Sequence, residues 1–184
     1  MDWTSDYARV LGVFGAYGFR KTSMAELAEA AGISRQTLYN RFANKQAVLD
    51  WAVAGASAEC EARAVAALRD GTRSLEDQVT EFFVKWLGEM TPLLRASPHG
   101  TEVMDLATQS HVQSSEDPFA EIYGALGDHL VSSGATPGQG AEQDIVFVLS
   151  MASKGLLLKA ADTEDYRTQM KRVVATVLKQ AKEA

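Results

Sequence analysis

Apolar residues recur at intervals of three and four along nearly the whole chain, which is the spacing of helices that bury one face. A clear example begins at Ser74, a residue suited to cap a helix, and continues through the apolar positions Val79, Phe83 and Trp86 to Met90, with Pro92 near its end. No segment of the sequence alternates apolar and polar residues in the way that is typical of a half-buried strand. The pattern therefore predicts an all-α fold of about nine helices.

Two short helices joined by a tight turn are predicted near the start of the chain. Ser23 followed by Glu26 has the spacing of a capping box, so the first helix begins there. Gly32 stands where a helix ends on a residue with positive φ, and Ser34 is suited to cap the second helix, over residues 35 to about 42. Such a short turn is typical of a helix-turn-helix, in which two helices meet at a steep angle.

The second of these helices presents a polar face. Leu38 and Phe42 are four residues apart and are expected to face inward. The residues left facing outward are Arg35, Gln36, Thr37, Tyr39, Asn40 and Arg41. Arginine suits phosphate groups and guanine edges, and glutamine and asparagine pair with adenine edges. The face therefore indicates the major groove of double-stranded DNA, and the alternative is a solvated face on an ordinary three-helix unit.

A third helix follows, with Asn44 as its cap and Lys45 in its first turn, and is predicted to continue through Leu68. The free amides at a helix N-terminus attract anions. The start of this helix is therefore expected to approach the same DNA.

Residues 7 to 51 resemble the N-terminal DNA-binding domain of the TetR family (TetR/AcrR-like) of transcriptional regulators. The matching stretch is ungapped and reads VFGAYGFRKTSMAELAEAAGISRQTLYNRFANKQAVL. The positions that fall on the family pattern are Phe14, Gly18, Thr22, Leu27, Ala28, Gly32, Ser34, Thr37, Leu38, Tyr39, Phe42, Lys45 and Leu49. The resemblance implies a homodimeric regulator, usually a repressor, in which an all-helical ligand-binding domain follows the DNA-binding domain.

The resemblance also implies roles for individual residues. Phosphate contacts are expected from Thr22, Ser23, Tyr39 and Lys45, and base contacts from Arg35, Gln36, Thr37 and Asn40. The complete set of expected DNA-binding residues is Thr22, Ser23, Ser34, Arg35, Gln36, Thr37, Tyr39, Asn40, Arg41 and Lys45. Gly12 and Gly15 depart from the family pattern, because helix-forming residues are usual in this first helix. A glycine at an exposed helix position lowers stability by roughly 1 kcal/mol relative to alanine.

Charge divides the chain near residue 48. Residues 1–48 carry six Lys and Arg and four Asp and Glu, a net charge of +2. The remaining residues carry twelve Lys and Arg and twenty Asp and Glu, a net charge of −8, and the two parts sum to the formal net charge of −6. Because an acidic surface repels DNA, residues 1–48 are predicted to be the DNA-binding domain and residues 49–184 the helical effector-binding and dimerisation domain. A single cysteine, no signal-peptide pattern and no apolar run that could span a bilayer predict a cytoplasmic protein without membrane contact.

The last two predicted helices, over about residues 141–160 and 163–181, indicate a homodimer. The first is apolar around most of its circumference, which requires burial on two sides. One side would pack on its own subunit and the other on a second copy, although both helices could instead belong to the core of a monomer. The residues expected at the dimer interface are Val148, Ala152, Gly155, Leu156, Met170, Val173, Val174 and Val177. A dimer would read a palindromic operator with half-sites roughly 34–36 Å apart.

A small-molecule effector, partly apolar, is expected to bind among the helices of the second domain and to release the DNA. The candidate ligand-binding residues are Phe83, Trp86, Met90, Met104, His111, Phe119, Tyr123, Phe147 and Met151. Aromatic and methionine residues at helical spacing are also typical of a plain core. The three histidines are too dispersed to indicate a metal site, and no cofactor is predicted.

Two other functions stay open from the sequence alone. An architectural DNA-binding protein without an effector would show little sequence preference and no release by a ligand. A helical enzyme is the second alternative, but the chain has no HExxH or GxSxG motif, no glycine-rich phosphate loop and no paired cysteine ligands. No catalytic residue is therefore predicted.

Overall fold

The structure is a computed structural model, and it describes residues 6–112, 119–136 and 140–183. Within these ranges the chain forms ten α-helices and a 3-10 helix, with no strand. The α-helices are α1 Asp6–Tyr17, α2 Met24–Ala30, α3 Arg35–Arg41, α4 Lys45–Leu68, α5 Leu75–Trp86, α6 Thr91–Ala96, α7 Gly100–Val112, α8 Ala120–Ser132, α9 Ala141–Lys159 and α10 Thr163–Glu183. The predicted all-α fold is confirmed.

The first compact unit consists of Met1–Glu59 and Pro92–Ser115. In it α1 packs on α2 and α7, and α2 packs on α3. The side chains of Phe14, Leu27 and Leu38 are fully buried in its core. The three short N-terminal helices thus bury the apolar positions that the sequence pattern assigns to their inner faces.

The helix ends in this unit follow from local hydrogen bonds. Ser23 caps α2 and forms a complete capping box with Glu26. Gly32 has a φ of +66°, the left-handed conformation that lets the chain leave α2 without a steric penalty. Ser34 then caps α3 by accepting a hydrogen bond from the Thr37 amide. The helix-turn-helix is therefore built from the residues that predict it.

Gly15 and Gly12 differ in what surrounds them within α1. The Gly15 carbonyl accepts a hydrogen bond of 3.0 Å from the His99 amide. A Cβ atom at Gly15 would lie 2.9 Å from Ser97 Oγ, whereas one at Gly12 would have nothing within 4 Å. Close packing thus explains the glycine at position 15, and nothing in the structure explains the one at position 12.

The chain between α5 and α7 is more broken than the sequence pattern suggests. The apolar spacing predicts one helix reaching past Met90, but α5 ends at Trp86 and the 3-10 helix Gly88–Met90 follows it. Pro92 then lies in the first turn of α6, where its missing amide hydrogen costs no intrahelical bond. This six-residue helix is the one beyond the nine expected.

The second compact unit consists of Cys60–Thr91 and Glu116–Ala184. In it α10 packs on both α5 and α9, and α8 packs on α9. Four side chains of α10, spaced by four residues, are buried: Tyr166, Met170, Val174 and Leu178. This stripe forms the inner face of the helix, as a period of 3.6 residues requires.

Tyr166 is the largest fully buried side chain in this core and is held at both ends. Its hydroxyl lies 2.6 Å from Ser153 Oγ, and burial raises the pKa of its phenol far above the usual range. Its ring covers Gly88, where a Cβ atom would lie 2.5 Å from Cδ1 and 2.8 Å from Cε1 of the tyrosine. Position 88 therefore has room for glycine alone while Tyr166 keeps this conformation.

Candidate functional site

Helix α3 is anchored by one side chain and capped by another. Leu38 is fully buried, while Arg35, Gln36, Thr37 and Asn40 are exposed. Ser34 Oγ accepts a hydrogen bond of 3.0 Å from the Thr37 amide and lies 2.8 Å from Thr37 Oγ1. Because the cap fixes the helix start, the exposed side chains project from a rigid element.

The exposed face of α3 carries hydrogen-bonding groups that are already oriented. Gln36 Nε2 donates to Asn40 Oδ1 across one helical turn at 2.9 Å. This bond leaves the Gln36 carbonyl oxygen and the Asn40 amino group for other partners. Tyr39 is 59% exposed, and its phenol is an additional donor on the same helix. These groups match the donor and acceptor pattern of base edges and phosphates.

Arg41 is exposed but turned toward aromatic rings. Its guanidinium carbon lies 5.4 Å from the ring centre of Phe42 and 5.2 Å from that of Trp51. Cation–π contacts of this length stabilise an exposed arginine modestly, by about 0.5–1 kcal/mol. Arg41 thus supplies positive charge near the end of α3 but has partners within the protein.

Ser23 and Thr22 use their donors inside the protein. The Ser23 amide and hydroxyl both donate to Glu26 Oε2, at 2.8 and 2.7 Å. The amide bond first, and then the hydroxyl bond, hold the pKa of the Glu26 carboxyl below its usual value. Thr22 is only 3% exposed, and its hydroxyl donates to the Gly18 carbonyl at 2.8 Å. We therefore leave both residues out of the proposed DNA contacts.

Lys45 is half-buried and makes contacts that could not be predicted from the sequence. Its ammonium donates to the carbonyl oxygens of Arg20, at 3.1 Å, and Thr22, at 2.8 Å. The ammonium also lies 4.8 Å from the ring centre of Phe19. These contacts tie the first turn of α4 to the connection between α1 and α2. Arg20 and Lys21, whose side chains are exposed, are cations that the sequence analysis missed.

The predicted dimer residues divide into exposed and buried groups. On α9, Val148 and Gly155 are exposed, and Ala152 and Leu156 are half-buried, as are Val173 and Val177 on α10. Met170 and Val174 are fully buried in the core of their own unit. Their assignment to a surface for a second copy is therefore corrected, because the apolar stripe of α10 that contains them faces inward. A groove of about 370 Å³ between α9 and α10 is lined in part by Leu156, Val173 and Val177.

Four of the ligand-binding candidates line a groove of about 750 Å³ between α8 and α9, namely Phe119, Tyr123, Phe147 and Met151. Phe83 and Trp86 are instead buried core side chains, with the Phe83 ring packed edge-on against Phe82. Neither of them lines this groove. The other candidates do not line this groove: Met90 is half-buried, Met104 belongs to the first compact unit, and the side chain of His111 lies outside the described residues.

Lys154 crosses this α8–α9 groove near two aromatic rings. Its ammonium lies 5.4 Å from the ring centre of Phe119 and 6.0 Å from that of Tyr123.

The part of the chain that the structure describes contains no group of three or more His, Cys, Asp and Glu side chains placed to hold a metal ion. No helix in the described ranges is both long and apolar enough to cross a membrane.

Comparison with known proteins shows what these features are similar to. Residues 11–51 match the family model of bacterial regulatory proteins, tetR family. No curated protein matches the chain. Among solved structures, a TetR-family transcriptional regulator from Rhodococcus sp. is similar in fold, with a TM-score of 0.62 and 19% identity, covering 95% of this chain and 97% of its own.

Two further structures share the fold. A TetR-family regulator from Mesorhizobium loti has a TM-score of 0.65 and 14% identity, covering 95% of this chain and 94% of its own. PfmR, a TetR family regulator from Thermus thermophilus, has a TM-score of 0.54 and 16% identity, covering 93% of this chain and 97% of its own. The resemblance inferred from the sequence is thus confirmed: residues 11–51 match the N-terminal domain of the tetR family, and the chain shares its fold with solved TetR-family regulators.

Proposed function

We propose that the protein is a homodimeric, ligand-responsive repressor that binds a palindromic operator in the cytoplasm and is released by a small molecule. The observation that carries the proposal is the exposed face of α3, where Arg35, Gln36 and Asn40 project from a helix whose Leu38 is fully buried. A short, capped helix with such a face has the dimensions and chemistry of a major-groove reader.

The contacts within α3 support a division of the side chains between base contacts and phosphate contacts. The Gln36–Asn40 hydrogen bond holds two side-chain amides next to each other on α3, and a side-chain amide suits adenine. Arg35, in the first turn of α3, suits guanine or a phosphate. Tyr39 suits a phosphate through its phenol. Residues 1–48 are proposed as the DNA-binding domain and residues 49–184 as the effector-binding and dimerisation domain.

Dimerisation is proposed to use the exposed apolar face of α9. Val148 is 47% exposed there, and the small residues Ala152 and Gly155 follow it at spacings of four and three. A second copy that covers this face would remove apolar surface from water, which is favourable by roughly 25 cal/mol per Å². Two α3 helices related by a two-fold axis would then reach both half-sites.

The effector is proposed to be partly apolar and to bind the groove between α8 and α9. Aromatic rings and Met151 supply apolar walls, and Lys154, Asp128 and Glu142 supply charges around them. A volume of about 750 Å³ suits a drug-sized molecule. A ligand that binds one form of the dimer better by about 1–3 kcal/mol would be sufficient to shift operator affinity by 5–150-fold.

The proposal is tested by selecting bound fragments from genomic DNA with the purified protein. The expected result is enrichment of one pseudo-palindromic sequence whose half-sites lie about one helical turn apart. Binding to all fragments alike would favour an architectural DNA-binding protein. No binding to duplex DNA at low salt would overturn the assignment altogether, because phosphate attraction alone should give measurable affinity there.

A further inference from the structure

The connection between α1 and α2 is locked by its own backbone. Gly18 has a φ of +79°, and its amide donates to the Phe14 carbonyl at 2.8 Å, which ends α1. The Gly18 carbonyl then accepts two hydrogen bonds from Thr22, one from the hydroxyl at 2.8 Å and one from the amide at 3.2 Å. Residues 18–22 therefore form a closed turn before α2 begins.

Lys45 holds the same turn from outside. Its ammonium donates to the carbonyls of Arg20 and Thr22, which flank Lys21 on either side. Two of the three ammonium hydrogens are thus committed to the backbone, and the Phe19 ring lies beneath the charge. Moving the ammonium to a DNA phosphate would break both bonds and leave the two carbonyls without a charged donor.

The side chains that this turn presents to solvent are two cations. Arg20 and Lys21 are exposed, and neither forms an ion pair or a side-chain hydrogen bond with any residue that the structure describes. Arg9 in the same unit differs, since it pairs with Asp6 and donates to the Ala30 carbonyl at 2.9 Å. Two uncommitted cations on a fixed backbone are preorganised for anions.

We propose that Arg20 and Lys21 bind phosphates of the operator, and that Lys45 is a positioning residue that acts through them by clamping their backbone. This proposal rests on the DNA-binding function proposed above. It reassigns Lys45, which the family resemblance made a phosphate clamp, and it adds two contacts outside the helix-turn-helix. The two positions are adjacent in sequence, so their side chains would reach neighbouring points of one DNA strand.

The first test measures the salt dependence of DNA binding. Each lost phosphate contact should lower the slope of log K against log salt by about 0.9, so Arg20→Ala and Lys21→Ala should each lower it by about 1.8 in a dimer. Arg69→Ala, which removes an exposed cation from the other unit, is the matched control and should leave the slope unchanged. Unchanged slopes in both Arg20→Ala and Lys21→Ala would remove these residues from the interface.

The second test is a double-mutant cycle on affinity. Lys45→Met keeps the apolar stem and removes the ammonium, and it should weaken binding by about tenfold in the natural sequence but by less than about twofold in Arg20→Ala/Lys21→Ala. An equal loss in both backgrounds would mean that Lys45 contacts phosphate directly, which overturns the positioning role. Lys45→Gln is the second variant if Lys45→Met does not fold.

A third measurement needs no DNA. Trypsin cleaves after Arg20 and Lys21, and a clamped turn resists cleavage because the backbone must open first. The free Lys45→Met protein should be cut at these two bonds several-fold faster than the natural protein, while cleavage after Arg69 should not change. Cleavage after Arg20 and Lys21 at the same rate in both proteins would contradict the clamp. Failure of the natural protein to bind duplex DNA would contradict the proposed function and the phosphate contacts that rest on it, but not the clamp.

Discussion

Helices α3 and α9 both expose one face, and the two faces are chemically opposite. The exposed face of α3 consists of polar groups, among them the hydrogen-bonded pair Gln36 and Asn40. The exposed face of α9 carries apolar side chains, with Val148 at 47% and Leu158 at 69% exposure. An isolated large apolar residue on a surface needs no explanation, but a contiguous apolar patch indicates an interaction site.

The difference shows which kind of partner each helix suits. A polar, capped helix loses little stability when it is exposed to water, so α3 can stay exposed in the free protein until DNA binds. An apolar face loses stabilisation for as long as it stays in water. If the proposed dimer forms, α3 is complete within one subunit and α9 is not. The five predictions below test this contrast, from the largest expected effect to the smallest.

The contrast is tested most strongly by removing one leucine from each helix. Leu38→Ala should lower the free energy of unfolding by about 2–5 kcal/mol, because Leu38 is fully buried and its loss leaves a cavity. Leu158→Ala should change it by less than about 0.5 kcal/mol in dilute solution, because Leu158 is exposed. Urea denaturation measures both. A comparable loss from Leu158→Ala would mean that this face is already buried in the state measured.

A charge placed on the α9 face should separate the subunits. Val148→Lys should weaken self-association by about 2 kcal/mol or more, because an unpaired cation would have to be buried at the interface. Sedimentation as a function of concentration measures the effect. Ala66→Lys, at an exposed position of α4, is the matched control and should leave association unchanged. An unaltered dimer in Val148→Lys would exclude this face as the dimer contact.

The paired amides of α3 should affect sequence preference rather than overall affinity. Gln36→Ala should reduce discrimination at particular base pairs by roughly 1–3 kcal/mol. Because Gln36 donates to Asn40, adding Asn40→Ala to the Gln36→Ala variant should reduce discrimination by less than Asn40→Ala does in the natural protein. Competition assays with operators changed one base pair at a time measure both effects. Uniform weakening across all operators would assign Gln36 to the phosphate backbone instead.

Two glycines with open surroundings separate helix stability from association. Gly12→Ala and Gly155→Ala should each raise the free energy of unfolding by up to about 1 kcal/mol, because alanine is the better helix former and no atom lies within 4 Å of the added methyl group. Only Gly155→Ala should also change the dimer constant, if a partner helix approaches α9 closely there. Identical dimer constants in both variants would place the partner elsewhere along α9.

The smallest effect concerns acid stability at the start of α2. The pKa of Glu26 is lowered in the folded protein by the Ser23 amide and hydroxyl, so the stabilisation is present above the usual value of 4.5 and is lost as the pH falls through the lowered value. The stability difference between the natural protein and Glu26→Gln should therefore be constant near neutral pH and shrink in acid. A difference that does not vary with pH would contradict the capping box.

Elements with local causes were predictable from the sequence. The cap at Ser23, the left-handed Gly32 and the bounds of α4 all follow from residues within a few positions, and the structure agrees with each. The extra helix α6 was not predictable, because the apolar spacing continues through the break after Trp86. A helical period indicates that a face is buried, but it does not locate an interruption.

The roles that depend on distant residues were less accessible. Lys45 carries the family pattern, yet its ammonium contacts carbonyls more than twenty positions earlier in the chain. Met170 and Val173 belong to one apolar stripe in the sequence, and the packing of α10 decides that the first is core and the second half-buried. Periodicity alone does not distinguish the two sides of a wide stripe.

The packing of Tyr166 over Gly88 has a consequence for how this protein can vary. A side chain at position 88 would have to displace a fully buried ring, so it should be tolerated only together with a smaller residue at position 166. Such an exchange would also take the hydroxyl partner from Ser153. We therefore expect homologues with this core to change positions 88, 153 and 166 together. In a homologue that has alanine at position 88 and keeps the tyrosine, we expect the 3-10 helix to be displaced.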